Sequence, residues 1–457
     1  MLARATSAGF AALLLFAGAS RGQWLSRWAD QPTMTGDWGG LRTRWSDAGV
    51  SIFATYGVNL AGNPVGGLEH DVTYVDDQSW GADFDLGKLF RLDGTAVRLS
   101  FNNRDGVNLS SKMGALFAVQ QLFGGGEIPR LMELAISQDF LGGTLNVRGG
   151  RVMGASDFAT SPLWCEYMNQ AMCGNLGNLG KNITFSFYPV ASWGGRVKWK
   201  PNDRFLVQAG VFEANPTLVN DNGFDWSTAG SIGTVTIGEV WYMPGAIPGF
   251  LPGHYKLGAY YSSADAPDLY FDAEGRSYVE SGQPPLEHSG QSGVYFLADQ
   301  VISREAREGN AGLTALGGIA FASEATNTMP FFFFLGFQYT GAFENRPDDV
   351  LGFVVAQGHI SSNLAATQRL LGQVPQNAET LFELNYSIHL TNWFVFEPNV
   401  QYILTPGGTG EIPNAFVLTL AGTKCSRLSA AACRTFLSAA KRAHSRGACR
   451  FRATIRT

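Results

Sequence analysis

Six histidines are spread along the 457-residue chain, His70, His254, His288, His359, His389 and His444, and none forms a His-x-His or His-Glu-x-x-His pair. A metal site has no local signature in that pattern. Gly18-Ala19-Ser20-Arg21-Gly22 has the spacing of a nucleophile elbow, but it closes an apolar N-terminal run and lacks the strand and helix that would present such a serine. Asp76 with Asp77, and Asp348 with Asp349, are adjacent carboxylates. Neighbours on a strand point to opposite faces, so neither pair can flank one glycosidic bond. No catalytic residue, metal ligand or cofactor is expected. Cys165 and Cys173 have seven residues between them in a segment rich in Asn, Gly and Met. In an exported chain, which the N-terminus indicates, a disulfide closing that loop is expected over two free thiols.

The elements that position these residues are strands. Charged residues make up 16% of the chain, against about 25% in ordinary proteins, while aromatics reach 12% and there are 56 glycines. That mixture favours strands and turns over helical bundles. Charge is unevenly placed. No Asp or Glu follows Glu411, and residues 419–457 hold nine Lys or Arg and three of the five cysteines, which leaves residues 1–418 near −14. A body that acidic lacks the basic face on which phosphate attraction depends, so nucleic acid is excluded as its partner.

Arg4 followed by an apolar run from Ala8 to Ala19 reads as a secretory signal peptide over residues 1–22, with cleavage after Ala19 or after Gly22. A membrane helix needs about 20 apolar residues, and no stretch reaches that length. An exported chain of this kind is periplasmic, secreted, or a closed barrel, because only closure satisfies every backbone group in lipid.

Period two is the dominant pattern. Phe382, Leu384, Tyr386, Ile388 and Leu390 interleave with Glu383, Asn385, Ser387 and His389. That gives a strand with one dry face, of the roughly 9 to 11 residues that cross a bilayer at a tilt. Similar alternation recurs around Phe84, Val97 to Asn102, Trp193 to Lys200, Tyr255 to Tyr261 and Phe394 to Leu404, where Pro398 marks a bulge or weak pairing. A soluble sandwich alternates too. Aromatics at strand ends, Tyr188, Trp199, Trp241, Tyr242, Trp393 and Tyr402 among them, fit interfacial girdles. The fold expected is all-β: a transmembrane antiparallel β-barrel over residues 23–418, with about 25 residues for each of 16 strands. One short helix is expected at about 35–49, where Leu41, Trp45 and Ala48 share a stripe and Gly49 stops it. Long loops are expected at Asn215 to Ser231, Asp265 to Gln291 and Arg304 to Gly309.

Strand parity puts Asp83, Asp85, Arg98, Glu133, Arg196, Lys198, His254, Lys256 and Glu383 on the polar face, which in a wide barrel lines water. These are the candidate pore-lining residues. Both signs occur among them, so a neutral sugar could exchange water for side-chain donors and acceptors without a net ionic trap. Tyr260 has the same inward parity and could stack on a sugar face.

Thr35-Gly36-Asp37-Trp38-Gly39-Gly40-Leu41-Arg42 resembles the opening motif of the carbohydrate-selective outer-membrane porins of the OprB type. Further resembling segments follow in order: Gly149-Gly150-Arg151 through Asp157-Phe158-Ala159 to Cys165 and Cys173, Tyr188-Pro189 with Trp193-Gly194, Leu251 to Gly258, Asp299-Gln300, Arg346 to Asp349, and Gln401-Tyr402 with Pro406-Gly407-Gly408. The resemblance implies a barrel, commonly of 16 strands, in the bacterial outer membrane, admitting glucose and other sugars by passive diffusion without a cofactor. Its implied partners are the sugar, outer-membrane lipid and the barrel-assembly machinery, with a homotrimer one assembly left open. Two rival functions are a general ion-conducting porin and a non-conducting glycan-binding β-sandwich.

The C-terminus departs from the resemblance. Asn414 to Leu418 begins a closing strand, and from Thr419 the chain turns basic and rich in Ala, Ser, Arg and Cys. Residues 419–457 are expected to be an atypical tail, produced by a shift of reading frame or, alternatively, a genuine basic extension.

Overall fold

The alternation is realised as strands long enough to cross a bilayer. A computed structural model describes residues 27–305 and 311–425. The expected signal peptide at 1–22 lies outside them. In chain order the strands are β1 (Val50–Val65), β2 (Val72–Asp85), β3 (Thr95–Gly106), β4 (Arg130–Phe140), β5 (Leu145–Val152), β6 (Ser192–Trp199), β7 (Phe205–Ala214), β8 (Gly233–Tyr242) and β9 (Gly253–Ser262). After these come β10 (Ala266–Asp272), β11 (Pro285–His288), β12 (Gln291–Arg304), β13 (Gly312–Ala322), β14 (Phe331–Thr340), β15 (Val350–His359), β16 (Ala378–His389), β17 (Phe394–Leu404) and β18 (Ala415–Cys425). Strands β10 and β11 form a separate hairpin, and the other 16 close into one antiparallel ring in which β1 pairs with both β2 and β18. Closure removes the sandwich reading: among the described residues there is no second sheet for the outward apolar faces to pack against.

Connections such as 141–144, 200–204 and 390–393 at one end of the barrel are tight, whereas 107–129, 153–191, 215–232, 263–290 and 360–377 at the other are long. Outward parity carries the apolar residues, with Leu257, Val294, Leu335, Phe337, Phe353, Leu384 and Leu420 all exposed on the outer wall. Trp199 and Tyr402 also face outward near strand ends. Trp241 and Tyr188 do not join that girdle. Trp241 is inward and buried, and Tyr188 belongs to a connection inside the barrel.

Residues 35–49 contain the expected helix, Leu41–Asp47, which follows a 3-10 turn at Trp38–Gly40. Asp37 accepts from the backbone N–H and hydroxyl of Thr43, both at 2.9 Å, and Gly49 leaves the helix at φ 102°. The expected apolar stripe is not buried. Trp45 is exposed and meets Trp38 edge to face at 6.2 Å. Ahead of the helix, Trp28 packs on Trp393 at 4.4 Å, and the Trp393 indole N–H donates to Trp28 O at 3.2 Å, which ties this segment to the β16–β17 turn.

The boundary expected at Leu418 is corrected. Strand β18 continues to Cys425, pairing with β1 through Thr55 and with β17 through Phe394. Leu418 and Leu420 face outward while Val417, Thr419 and Ala421 are buried inside, so period two persists past 418. It was hidden because small residues, Ala421 and Gly422, replace large ones on the last turns of the strand. The reading-frame expectation for the remaining basic residues, from 426 on, falls outside the described residues.

Candidate functional site

Two of the long connections fold back into the barrel instead of standing above it. Connection 107–129 buries Leu109, Met113, Phe117 and Val119, and connection 153–191 buries Phe158, Trp164, Tyr167, Met168, Met172 and Leu179. Inside the ring they meet inward aromatics of β14: Phe117 lies 5.9 Å from Phe332, and Trp164 lies 5.1 Å from Phe334. This explains why Phe331 to Leu335 is apolar without alternation. Its outer face meets the surroundings of the barrel, and its inner face is covered by chain. Connection 107–129 was not among the expected loops, and 153–191 was read as a loop only around Cys165 and Cys173, because the apolar side chains that pack inside the barrel elsewhere in them do not carry a loop composition.

Inward polar side chains of the wall hold the second connection in place through its backbone. Beyond β5, Glu239 of β8 accepts from Ala159 N at 2.7 Å, and Lys256 of β9 donates to Thr160 O at 2.6 Å. Further on, Gln338 of β14 donates to Leu163 O at 2.6 Å, and the Tyr167 hydroxyl donates to Phe337 O at 3.2 Å. Glu383 of β16 then accepts from Met168 N and, at 3.2 Å, from Asn169 N, while Asn169 Nδ2 donates to Gln401 of β17 at 2.9 Å. The chain returns past β2, where the Tyr188 hydroxyl donates to Asp77 at 2.9 Å, before entering β6. Because β16 stands opposite β6 in the ring, the connection crosses the lumen and comes back. Connection 107–129 is held likewise: Glu379 accepts from Leu116 N at 2.7 Å, Phe117 N at 3.2 Å and Gly407 N at 2.8 Å. A carboxylate that accepts several N–H groups satisfies loop amides that would otherwise be buried unpaired.

The other side of the lumen carries a charge cluster. Glu133 pairs with Arg148, and Arg148 also reaches Asp157 at 3.0 Å. Arg196 lies 2.8 Å and Lys198 3.6 Å from the same Asp157 carboxylate. One strand away, Arg98 pairs with Asp83 at 2.8 Å and lies 5.1 Å over the ring of Phe53. Although these groups face inward, the Lys198 side chain is 30% exposed and Asp83 39%, so the lumen here reaches solvent.

Five of the nine candidates, Asp83, Arg98, Glu133, Arg196 and Lys198, are thus gathered on one wall. His254 pairs with Asp299 at 2.7 Å further round. Lys256 and Glu383 face inward as parity required, but both are engaged by the crossing connection, and Lys256 Nζ also lies 3.9 Å over the Trp241 ring. Asp85 is placed differently. It is exposed at the strand end and caps the helix Leu86–Phe90 by accepting from Lys88 N at 3.1 Å, which takes it out of the lumen. Tyr260 is inward and buried. Arg148, Asp157, Glu239 and Glu379 were not singled out from the sequence. The signal for Arg148, Glu239 and Glu379 was a lone ion on the polar parity of a strand, and for Asp157 there was none beyond its motif. The expected disulfide is not formed: Cys165 and Cys173 are free thiols, and the Cys173 thiol donates to Gln121 Oε1 at 2.7 Å.

Burial opposes charge on Asp157, but Arg148, Arg196 and Lys198 outweigh it and hold the carboxyl below its ordinary value. A depressed pKa means that its stabilising contribution is fully present above the unfolded value of about 3.9 and is lost as pH falls through the lower folded value. The cluster is therefore expected to stay intact at neutral and mildly acidic pH and to loosen only in stronger acid. Asp157→Asn leaves Arg196 and Lys198 without a carboxylate and Arg148 with Glu133 alone at any pH, a loss of about 3 kcal/mol, toward the low end for a broken buried pair because Arg148 keeps a partner and Lys198 is partly hydrated. A urea titration of the protein folded in lipid vesicles checks this, with the variant's midpoint expected to be lower at pH 7.

The family model of the carbohydrate-selective porins, OprB family, matches residues 69–424. Porin B of Pseudomonas aeruginosa is 33% identical over 407 residues, which covers 84% of this chain and 89% of that protein. A putative porin, QuiX, of Acinetobacter baylyi is 29% identical over 421 residues, covering 86% of this chain and 92% of that protein. Among solved structures, the high-pH structure of Pseudomonas putida OprB superimposes with a TM-score of 0.83 at 33% identity, over 87% of this chain and 99% of that one.

Proposed function

The chain belongs to the OprB family of carbohydrate-selective porins, and on that premise we propose that it lets small neutral sugars, glucose among them, diffuse passively through a water-filled passage across a bacterial outer membrane. The observation that carries this reading is the connection 153–191 folded across the lumen, opposite a wall where cations and carboxylates alternate. Such a segment narrows the barrel, and the mixed wall offers hydroxyl groups both donors and acceptors. The charge cluster is nearly balanced, so a neutral solute is not excluded in favour of an ion. Asp83, Arg98, Glu133, Arg196, Lys198 and His254 would line the passage, with Lys256 and Glu383 shaping it through the crossing connection.

The outward apolar belt of the barrel would face lipid, and the ladder between β18 and β1 is the seam that the barrel-assembly machinery would close. A homotrimer would use part of the same belt. Liposomes holding the protein should swell faster in glucose than in an equimolar disaccharide of larger radius. Equal swelling in both would reject sugar selectivity in favour of a general porin, and no swelling in either would reject conduction.

A further inference from the structure

A cavity of about 140 Å³ opens between the returning limb of the lumen-crossing connection and the start of connection 215–232, at the barrel end that carries the long connections. Phe185, Phe187, Tyr188 and Leu218 give it apolar walls, and Ser186 and Glu213 bring polar groups to them. Among the described residues Glu213 is the one charged side chain in this lining, so the cluster round Asp157 is a separate feature.

Tyr188 is fixed in orientation. Its hydroxyl donates to Asp77 at 2.9 Å, accepts from Asn102 Nδ2 at 3.1 Å and lies 2.6 Å from Ser79 Oγ, while the Arg104 guanidinium stands 4.7 Å from the ring centre. Its tip and one face are thus taken, yet the residue is 40% exposed. Arg104 is not part of the cavity lining, so the ring face turned to the cavity is the one left open. Glu213 offers a complementary group. Its Oε1 accepts from Asn215 Nδ2 at 3.0 Å and its Oε2 from Trp193 N at 3.4 Å, which leaves each oxygen able to accept once more. Asn215 keeps the carboxylate in place, because its own groups are engaged by Ala229 O at 3.0 Å and by Thr217 N at 3.1 Å. Ser186 Oγ accepts from Gly154 N at 2.8 Å and retains its own hydrogen to donate.

We propose that this cavity is a capture site for one pyranose ring of a neutral sugar, which lays a C–H face on Tyr188 and gives two adjacent hydroxyls to Glu213 before it enters the narrowed lumen. The inference rests on reading the chain as a sugar channel. A closed space of about 150 Å³ admits a single six-membered ring, so a second sugar ring would lie outside. Apolar walls with a few convergent polar groups suit a small ligand, and the electron-rich face of an aromatic ring attracts polarised C–H bonds. Two carboxylate oxygens accept from two neighbouring hydroxyls at once, and the same charge repels a sugar acid.

Saturation-transfer NMR on the full chain in detergent micelles, titrated with methyl glucoside and separately with methyl glucuronide, measures the capture directly. The parent is expected to bind the glucoside saturably and the glucuronide more weakly. Tyr188→Leu removes the ring and should raise the glucoside dissociation constant about tenfold, whereas Tyr188→Phe keeps the open face and should stay within about threefold of the parent. Glu213→Gln should raise it about fivefold and also narrow the preference for glucoside over glucuronide, a change that a merely structural role for the carboxylate would not produce. Glu213→Gln alters no side-chain volume and carries the test should Tyr188→Leu fail to fold. Absence of saturable binding by the parent, or a folded Tyr188→Leu or Glu213→Gln protein that binds as the parent does, overturns the site. Binding in micelles needs no conduction, so the two readings fail separately. Selective swelling of liposomes with no shift in these constants overturns the capture site alone, and shifted constants with no swelling overturn conduction alone.

Discussion

Replacing Glu383 by alanine is expected to free the lumen-crossing connection while leaving the barrel closed. The carboxylate accepts from Met168 N, Asn169 N and, at 2.6 Å, Asn399 Nδ2, all of them buried. Alanine removes the acceptor and leaves these donors unpaired, at about 1–3 kcal/mol for each that finds no new partner. The β16 ladders to β15 and β17 are made by backbone groups and survive the change. A local loss of about 2 kcal/mol corresponds to roughly thirtyfold faster opening, since every 1.4 kcal/mol is tenfold. Amide exchange at Met168 and Asn169 should quicken by that order while exchange in the β15–β17 ladders stays slow. In the same protein the ratio of glucose to disaccharide swelling should fall toward unity. Glu383→Gln keeps one acceptor oxygen and is expected to lie between. Unchanged exchange at both amides in Glu383→Ala would show that the connection is held by its apolar packing alone.

Leu335→Arg is the second large effect. Leu335 lies midway along β14, faces outward and is 55% exposed, with Gly317 and Val355 opposite it on the neighbouring strands. An arginine at the middle of the apolar belt of a membrane barrel costs about 2–4 kcal/mol, because its charge must be drawn to the interface or hydrated within lipid. Leu335→Ala loses contact with acyl chains but buries no charge, so it is expected to cost much less. Urea titration in vesicles should place the arginine variant's unfolding midpoint well below both the parent and the alanine variant. Equal midpoints for the two variants would mean that this face does not lie against hydrocarbon.

Much of the barrel was legible because a strand has one period and two faces. Phe382 to Leu390 announces its parity without reference to any other part of the chain, and β16 adopts it with Glu383, Asn385 and Ser387 inward. The Leu41–Asp47 helix was equally local, read from its spacing and from the stop glycine at Gly49. The end of β18 was misplaced because small residues weaken the contrast on which parity depends. Lys256 and Glu383 were read correctly as inward, yet the role each plays depends on a partner elsewhere in the chain: Thr160 for one, Met168 and Asn169 for the other.

What the sequence determined by itself was therefore the alternation, the lack, among the described residues, of a helix long and apolar enough to cross a membrane, and the family resemblance carried by its motifs. Only the tertiary structure decided that the ring closes through β18, that 107–129 and 153–191 turn inward, and that Arg98, Arg148, Arg196 and Lys198 share one wall with Glu133 and Asp157. The physical reason is the range of the forces involved. Side-chain direction follows from neighbouring dihedral angles, whereas Glu383 meets Met168 across 215 residues of chain, and such a hydrogen bond exists only once the sheet has curled round to face itself.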